Sequence, residues 1–161
     1  MDSLNYIIER VSLRQKELGG KFNINQMRSI IREKATPIDE FNIENIEIEP
    51  GPYTKKILFS KPKLEIAIII WKPGAASNVR DNGGSYSIVR VLKGEMNFEL
   101  FDDDFKKTGE GSVPAVDTFD IPKEMVHRMF NSCLEEEAVT LHFYCPRVRK
   151  NIIYSQDSIK L

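Results

Sequence analysis

Between Tyr53 and Tyr154, apolar runs of four to eight residues alternate with turn-forming residues, and no helical periodicity separates them. Lys56–Phe59 and Leu64–Trp71 flank a Ser60-Lys61-Pro62-Lys63 turn. Ser87–Leu92 and Met96–Phe101 flank Lys93-Gly94-Glu95, a hairpin signal with residues alternating inward and outward. Thr118–Ile121, Val126–Phe130, Ala138–Cys145 and Asn151–Tyr154 complete the set, and Asp102–Gly109 reads as an acidic, solvated loop. Many short strands without intervening helices predict an antiparallel sandwich or barrel.

The first third has a different texture. Leu4, Ile7, Ile8 and Val11 recur on one helical face, and Gly19-Gly20 ends that helix. A second helix is predicted from Gln26 to Lys34, with Met27, Ile30 and Ile31 on its apolar side. Thr36 reads as the N-cap of a third, with Pro37 at its first position, Asp39 at its third and an end near Ile43. Pro50-Gly51-Pro52 marks the change to β structure. The expected organisation is one domain, a helical cap over residues 1–48 and a barrel over 49–161.

Composition narrows the function classes. The 161 residues suit a single core, and 41% hydrophobic with 29% charged residues suits a soluble globule rather than a disordered chain. A formal charge of −1 gives no overall attraction for nucleic acid or anionic lipid. The basic residues are scattered, and the short Arg147-Val148-Arg149-Lys150 cluster reads as solvated surface. The apolar run Ile66–Trp71 is too short to span a bilayer, and the N-terminus lacks the layout of a secretory signal. Cys133 and Cys145 do not make a disulfide framework, so a reducing, cytoplasmic setting is expected. The expected partner is a small molecule, with no nucleic acid and no membrane, for a monomer or homodimer.

Four separately spaced motifs then coincide. After Gly74, five residues lead to Arg80 and Asn82, one residue apart, and Gly94 closes the stretch. Pro122, His127 and Asn131 form a second spacing, with Glu124 where a glycine is usual. Thr140, His142 and Tyr144 alternate ahead of Cys145-Pro146, and Tyr53-Thr54-Lys55 lies far upstream. From about Tyr53 to Pro146 the chain resembles the cysteine dioxygenase family of cupins, and its helical first third also fits that family. The resemblance implies a mainly β fold, a single cupin barrel (double-stranded β-helix, jelly-roll-like) with an N-terminal helical segment. In that family three histidines bind Fe(II), and dioxygen adds to a thiol sulfur to give a sulfinate. Carried over by position, the ligand places hold Arg80, Asn82 and His127, and Lys55 stands for the arginine that holds the substrate carboxylate. Thr140, His142 and Tyr144 keep the family's hydrogen-bonding triad in form. Ser87 stands where animal members carry a cysteine cross-linked to tyrosine.

These replacements have physical consequences. Arginine is always cationic and offers no lone pair to a metal, and an amide oxygen is a weak donor. Fe(II) in open sites wants several imidazole or carboxylate ligands. A guanidinium at about 4 Å, with an effective dielectric near 20, opposes each unit of cation charge by on the order of 4 kcal/mol. Asp81, between two inward residues of a strand, should face away. No cofactor is therefore expected. Lys55, Arg80 and Tyr53 would bind a small anionic or amino-acid-like ligand, with His127 and His142 lining the same pocket. Arg80 could instead pair with an acid such as Glu95 or swing to the barrel mouth, leaving an inert interior, and Trp71 reads as core.

The alternative is an active thiol dioxygenase with a non-standard iron site, with Fe(II) as cofactor, His127 as metal ligand and Tyr144, His142 and Thr140 as its catalytic set. A third reading is metal-independent proton transfer, with His127 as base and Tyr144 as acid.

Overall fold

The computed structural model describes residues 2–21, 23–149 and 152–154. The chain divides into two compact units, Met1–Ile46 and Glu47–Leu161. Asn151, the first residue of the last predicted strand, and Lys150 of the basic cluster lie outside the described residues.

In the first unit, α1 (Asp2–Glu17) buries Leu4, Ile7 and Val11, and α2 (Ile24–Glu33) buries Met27, Ile30 and Ile31. Helix α2 begins earlier than its apolar periodicity suggests because Asn23 caps it, its side chain accepting from the Gln26 amide at 2.9 Å. The predicted third helix is not formed. Two 3-10 turns, Ile38–Phe41 and Ile43–Asn45, take its place, separated by Asn42 in a left-handed conformation with φ of 48°. Pro37, not Thr36, occupies the capping position and makes no side-chain cap bond. The segment is tied instead by Glu40, which accepts from the Ser3 hydroxyl and amide at 2.6 and 3.1 Å.

The second unit carries ten described strands in two antiparallel sheets. The first sheet contains β1 (Tyr53–Lys61), β2 (Leu64–Trp71), β4 (Tyr86–Lys93), β7 (Thr118–Ile121) and β9 (Ala138–Cys145), in the order β1-β2-β9-β4-β7. The second contains β3 (Val79–Asp81), β5 (Glu95–Phe101), β6 (Lys107–Pro114), β8 (Val126–Phe130) and β10 (Ile152–Tyr154), in the order β10-β3-β8-β5-β6. The interleaving of early and late strands in both sheets is the double-stranded β-helix arrangement, mainly β as expected.

Strand β6 was not legible in the sequence, where an acidic loop was expected to run on to Gly109. Only the Asp102 turn fits that reading, its carboxylate accepting from the amides of Asp104 and Lys106 at 2.9 Å. The strand is glycine-rich because Phe98 of β5 lies over it: a Cβ on Gly111 would stand 2.7 Å from the Phe98 ring. A residue without a side chain hides the alternation by which strands are recognised.

Inside the barrel, Ile69, Trp71, Val89, Val91, Met96 and Met129 belong to one apolar cluster. Toward the opposite ends of β4 and β9 the inward positions turn polar: Val91 pairs with Thr140, Val89 with His142, and Ser87 with Tyr144. The fold therefore closes one part of its interior with packing and leaves another for chemistry. Asn131 ties the loop between β8 and β9, donating to the carbonyls of Glu136 at 2.9 Å and Lys72 at 3.3 Å and accepting from the Cys133 amide. It is 1% exposed, so no water can replace these bonds. Asn131→Ala is expected to lower stability by about 2 kcal/mol, read as an earlier urea midpoint with unchanged slope.

Candidate functional site

Strand alternation collects the polar residues of the barrel at one cavity of about 160 Å³. Strand β1 supplies Tyr53 and Lys55, β9 supplies His142 and Tyr144, β8 supplies His127, β3 supplies Arg80, and Asn82 comes from the first position after the end of β3. Arg80 and His127 are side by side because they form the β3–β8 register pair. Asp81 is absent from the cavity lining. It accepts from the Tyr154 hydroxyl at 2.6 Å and from the Gly83 amide at 2.8 Å, which anchors the strand on which Arg80 stands.

The Arg80 guanidinium donates from Nη2 to the Tyr53 hydroxyl at 2.7 Å. Its buried Nε has no hydrogen-bond partner, and no carboxylate pairs with it among the described residues. Glu95, the acid considered for it from sequence, is exposed on β5, so that pairing is not made. Lys55 is differently placed. Its Nζ lies 3.6 Å from the carboxylate of Glu65 on β2 and 5.1 Å from the centre of the Tyr144 ring. Glu65 is buried, so the pair offsets part of the lysine's field inside the barrel.

The third group of interactions is a chain. Trp71 Nε1 donates to Thr140 Oγ1 at 2.9 Å, Thr140 Oγ1 meets His142 Nε2 at 2.7 Å, and His142 Nδ1 meets the Tyr144 hydroxyl at 3.2 Å. Thr140 is fully buried and His142 Nε2 is the one acceptor its hydroxyl meets among the described residues, so its hydrogen goes there. A neutral His142 then carries its proton on Nδ1 and donates it to Tyr144. The Tyr144 hydroxyl keeps its hydrogen for the cavity. The opposite tautomer would set two donors against Thr140 and leave a buried hydroxyl hydrogen without an acceptor.

Burial keeps both histidines neutral. His142 is pushed down to about 3 by burial first, then by the charges of Lys55 and Arg80. His127 is pushed down to about 4 by burial, opposed by its bond to the Met125 carbonyl and reinforced by Arg80. Tyr144 is raised above its ordinary value by burial, with Arg80 pulling the other way. His127 Nδ1 lies 2.9 Å from the Met125 carbonyl and must donate to it, leaving Nε2 as a lone-pair acceptor. Such a histidine is a weak base, and such a tyrosine a weak acid, for proton transfer near neutral pH.

Iron, the metal that the resemblance implies, does not fit these donors. One imidazole nitrogen, one amide and one guanidinium meet where Fe(II) wants several imidazole or carboxylate ligands. Among the described residues no group of three or more His, Cys, Asp or Glu side chains could hold a metal ion. Ser87 lies opposite Tyr144 across the β4–β9 ladder, fully buried and with its Oγ unpartnered. Two contributors escaped the sequence reading. Trp71 lines the cavity and drives the hydrogen-bond chain, and Glu65 pairs with Lys55. Neither has a local motif, because both roles depend on the β2–β9 and β1–β2 pairings.

The family model described as cysteine dioxygenase type I matches residues 11–157. Among solved structures, a conserved protein with a double-stranded β-helix domain from Klebsiella pneumoniae is similar with a TM-score of 0.60 at 13% identity, over 76% of this chain and 97% of its own. An oxalate oxidase is similar with a TM-score of 0.59 at 17% identity, over 74% of this chain and 68% of its own. The cupin domain of Schizosaccharomyces pombe Cnp3 follows with a TM-score of 0.56 at 11% identity, over 65% and 71%. At these identities the structures establish the fold alone, a cupin barrel. No helix among the described residues is long and apolar enough to cross a membrane.

The two depressed histidines set an acid limit on stability. In the unfolded chain each takes up a proton near pH 6.5, whereas the folded His127 and His142 do so only near 4 and 3. Below pH 6.5 the unfolded state binds more protons, so stability falls on acidification, by up to about 1.4 kcal/mol per pH unit for each histidine. Above that range neither contributes a slope. Urea unfolding at a series of pH values should show this loss between pH 6 and 4.5, and His127→Gln should reduce the slope by about half.

Proposed function

The chain belongs to the cysteine dioxygenase type I family, and we propose that it has kept the family's barrel while replacing the metal by a fixed guanidinium. On this reading it binds a small anionic or amino-acid-like ligand inside the barrel and does not oxidise thiols with Fe(II). The observation that carries the reading is Arg80: cavity-lining, bonded only to the neutral Tyr53 hydroxyl, and without a carboxylate partner among the described residues. A buried or half-buried charge needs compensation, and a ligand anion supplies it where the protein does not. Lys55 adds to the same supply of donors in weakened form, because a lysine lacks the planar fork of arginine and this one already faces Glu65.

The second reading, a thiol dioxygenase with a non-standard iron site, draws on family membership and on the intact Thr140–His142–Tyr144 chain. Metal analysis separates the two. Protein purified from iron-supplemented cells is expected to hold iron far below one equivalent. It should consume no oxygen with cysteine, cysteamine or 3-mercaptopropionate. The double substitution Arg80→His with Asn82→His is expected to raise iron occupancy by at least about tenfold, since it restores a three-imidazole set. Stoichiometric iron and thiol-dependent oxygen uptake by the unaltered chain would overturn the proposal.

A further inference from the structure

The cavity's hydrogen-bonding groups are unequal in number and kind, and that inequality selects among ligands. Its donors are the remaining N–H groups of Arg80, the Lys55 ammonium, the Asn82 amide, the Tyr144 hydroxyl hydrogen freed by the His142 tautomer, and the Tyr53 hydroxyl, whose oxygen is occupied by Arg80. Its uncharged acceptors are His127 Nε2, turned free by the Nδ1 bond to Met125, and the Asn82 amide oxygen. Glu65 is absent from the lining and is held by Lys55 at 3.6 Å, with Ser60 on its other oxygen at 3.5 Å. No carboxylate among the described residues therefore faces into the cavity to receive an ammonium group, while Arg80 and Lys55 both repel one.

We infer that this barrel takes a small monocarboxylate bearing an uncharged hydrogen-bond donor, a 2-hydroxy acid, in preference to a zwitterionic amino acid. The inference rests on the preceding reading that the barrel holds a small anion, and it names the class. The carboxylate lies on Arg80 with help from Tyr144, and the hydroxyl donates to His127 Nε2. Size permits it: a cavity of about 160 Å³ holds several waters and so admits a small ligand. Glu65 acts as a positioning residue, setting the charge of the site through Lys55 rather than by touching the ligand.

Trp71 is the chain's one tryptophan, and it lines this cavity, so its fluorescence reports occupancy directly. Titration with glycolate, glycine, propionate and ethanolamine varies one group at a time. Glycolate is expected to bind saturably, about tenfold or more tighter than glycine, with propionate weaker than glycolate and ethanolamine silent. Arg80→Met should abolish the glycolate response, and Arg80→Lys should retain part of it, which separates lost charge from a damaged fold. Glu65→Gln should raise affinity for the dianion malonate more than for glycolate, a change of charge selectivity that a purely structural role would not produce.

Glycine binding as tightly as glycolate, with Arg80→Met still abolishing both, would overturn the ligand class while leaving an anion-binding barrel. Binding of glycolate undiminished in Arg80→Met, or silence from all four probes, would overturn the class and the barrel-ligand reading together.

Discussion

Inside the barrel, a guanidinium that cannot lose its proton rests on a tyrosine hydroxyl, and the surrounding groups are arranged around that fixed charge. A histidine next to it stays neutral because burial and a neighbouring cation both oppose a second charge. The strand bearing it is short, three residues, and is held through Asp81 by the Gly83 amide and by Tyr154 from the last strand. Without that anchorage a lone register pair with His127 would be its described link to β8. The position of the charge is thus a product of the ladder on one side and of a buried carboxylate on the other.

Two further arrangements follow the same logic of compensation. Lys55 is answered from the neighbouring strand by Glu65, so the cavity presents one cation without a carboxylate and one paired with it. The chain from Trp71 through Thr140 and His142 to Tyr144 has a direction because Trp71 can only donate and the buried Thr140 hydrogen has only His142 Nε2 to receive it among the described residues. A tryptophan at one end fixes the tautomer of a histidine two bonds away and so decides which hydrogen the tyrosine presents. The polar interior is therefore specified by apolar-looking residues as much as by the ionisable ones.

Much of this could be read along the chain. Leu64–Trp71, Ser87–Leu92 and Ala138–Cys145 declared their strands by apolar runs and β-branched content. Lys93-Gly94-Glu95 does not make the expected hairpin: β4 pairs with β7 and β9 and β5 with β6 and β8, so this turn carries the chain from the first sheet to the second. Errors arose where side-chain patterns carry little information. Lys107–Pro114 has glycines where alternation would show, and Phe98 occupies the side-chain space of Gly111. The segment after Pro37 has capping-type residues yet forms 3-10 turns broken at Asn42, because cap signals mark a possible start and not a length. Within the site, Tyr53, Lys55, Arg80, Asn82, His127, His142 and Tyr144 were picked out by motif spacing, and all line one cavity. Glu65 and Trp71 were not, as the strand pairings that make them matter join residues far apart in sequence.

The sequence by itself determined the cupin barrel and the identity of the groups at the positions where the family resemblance implies metal ligands, because strand period, turn chemistry and motif spacing are local properties of a chain. Only the tertiary structure decided where the charge of Arg80 goes, that Lys55 is paired with Glu65, and which way the Thr140–His142 hydrogen bonds run. Those outcomes are set by cross-strand distance and by the exclusion of water, and neither exists until the two sheets have closed on one another.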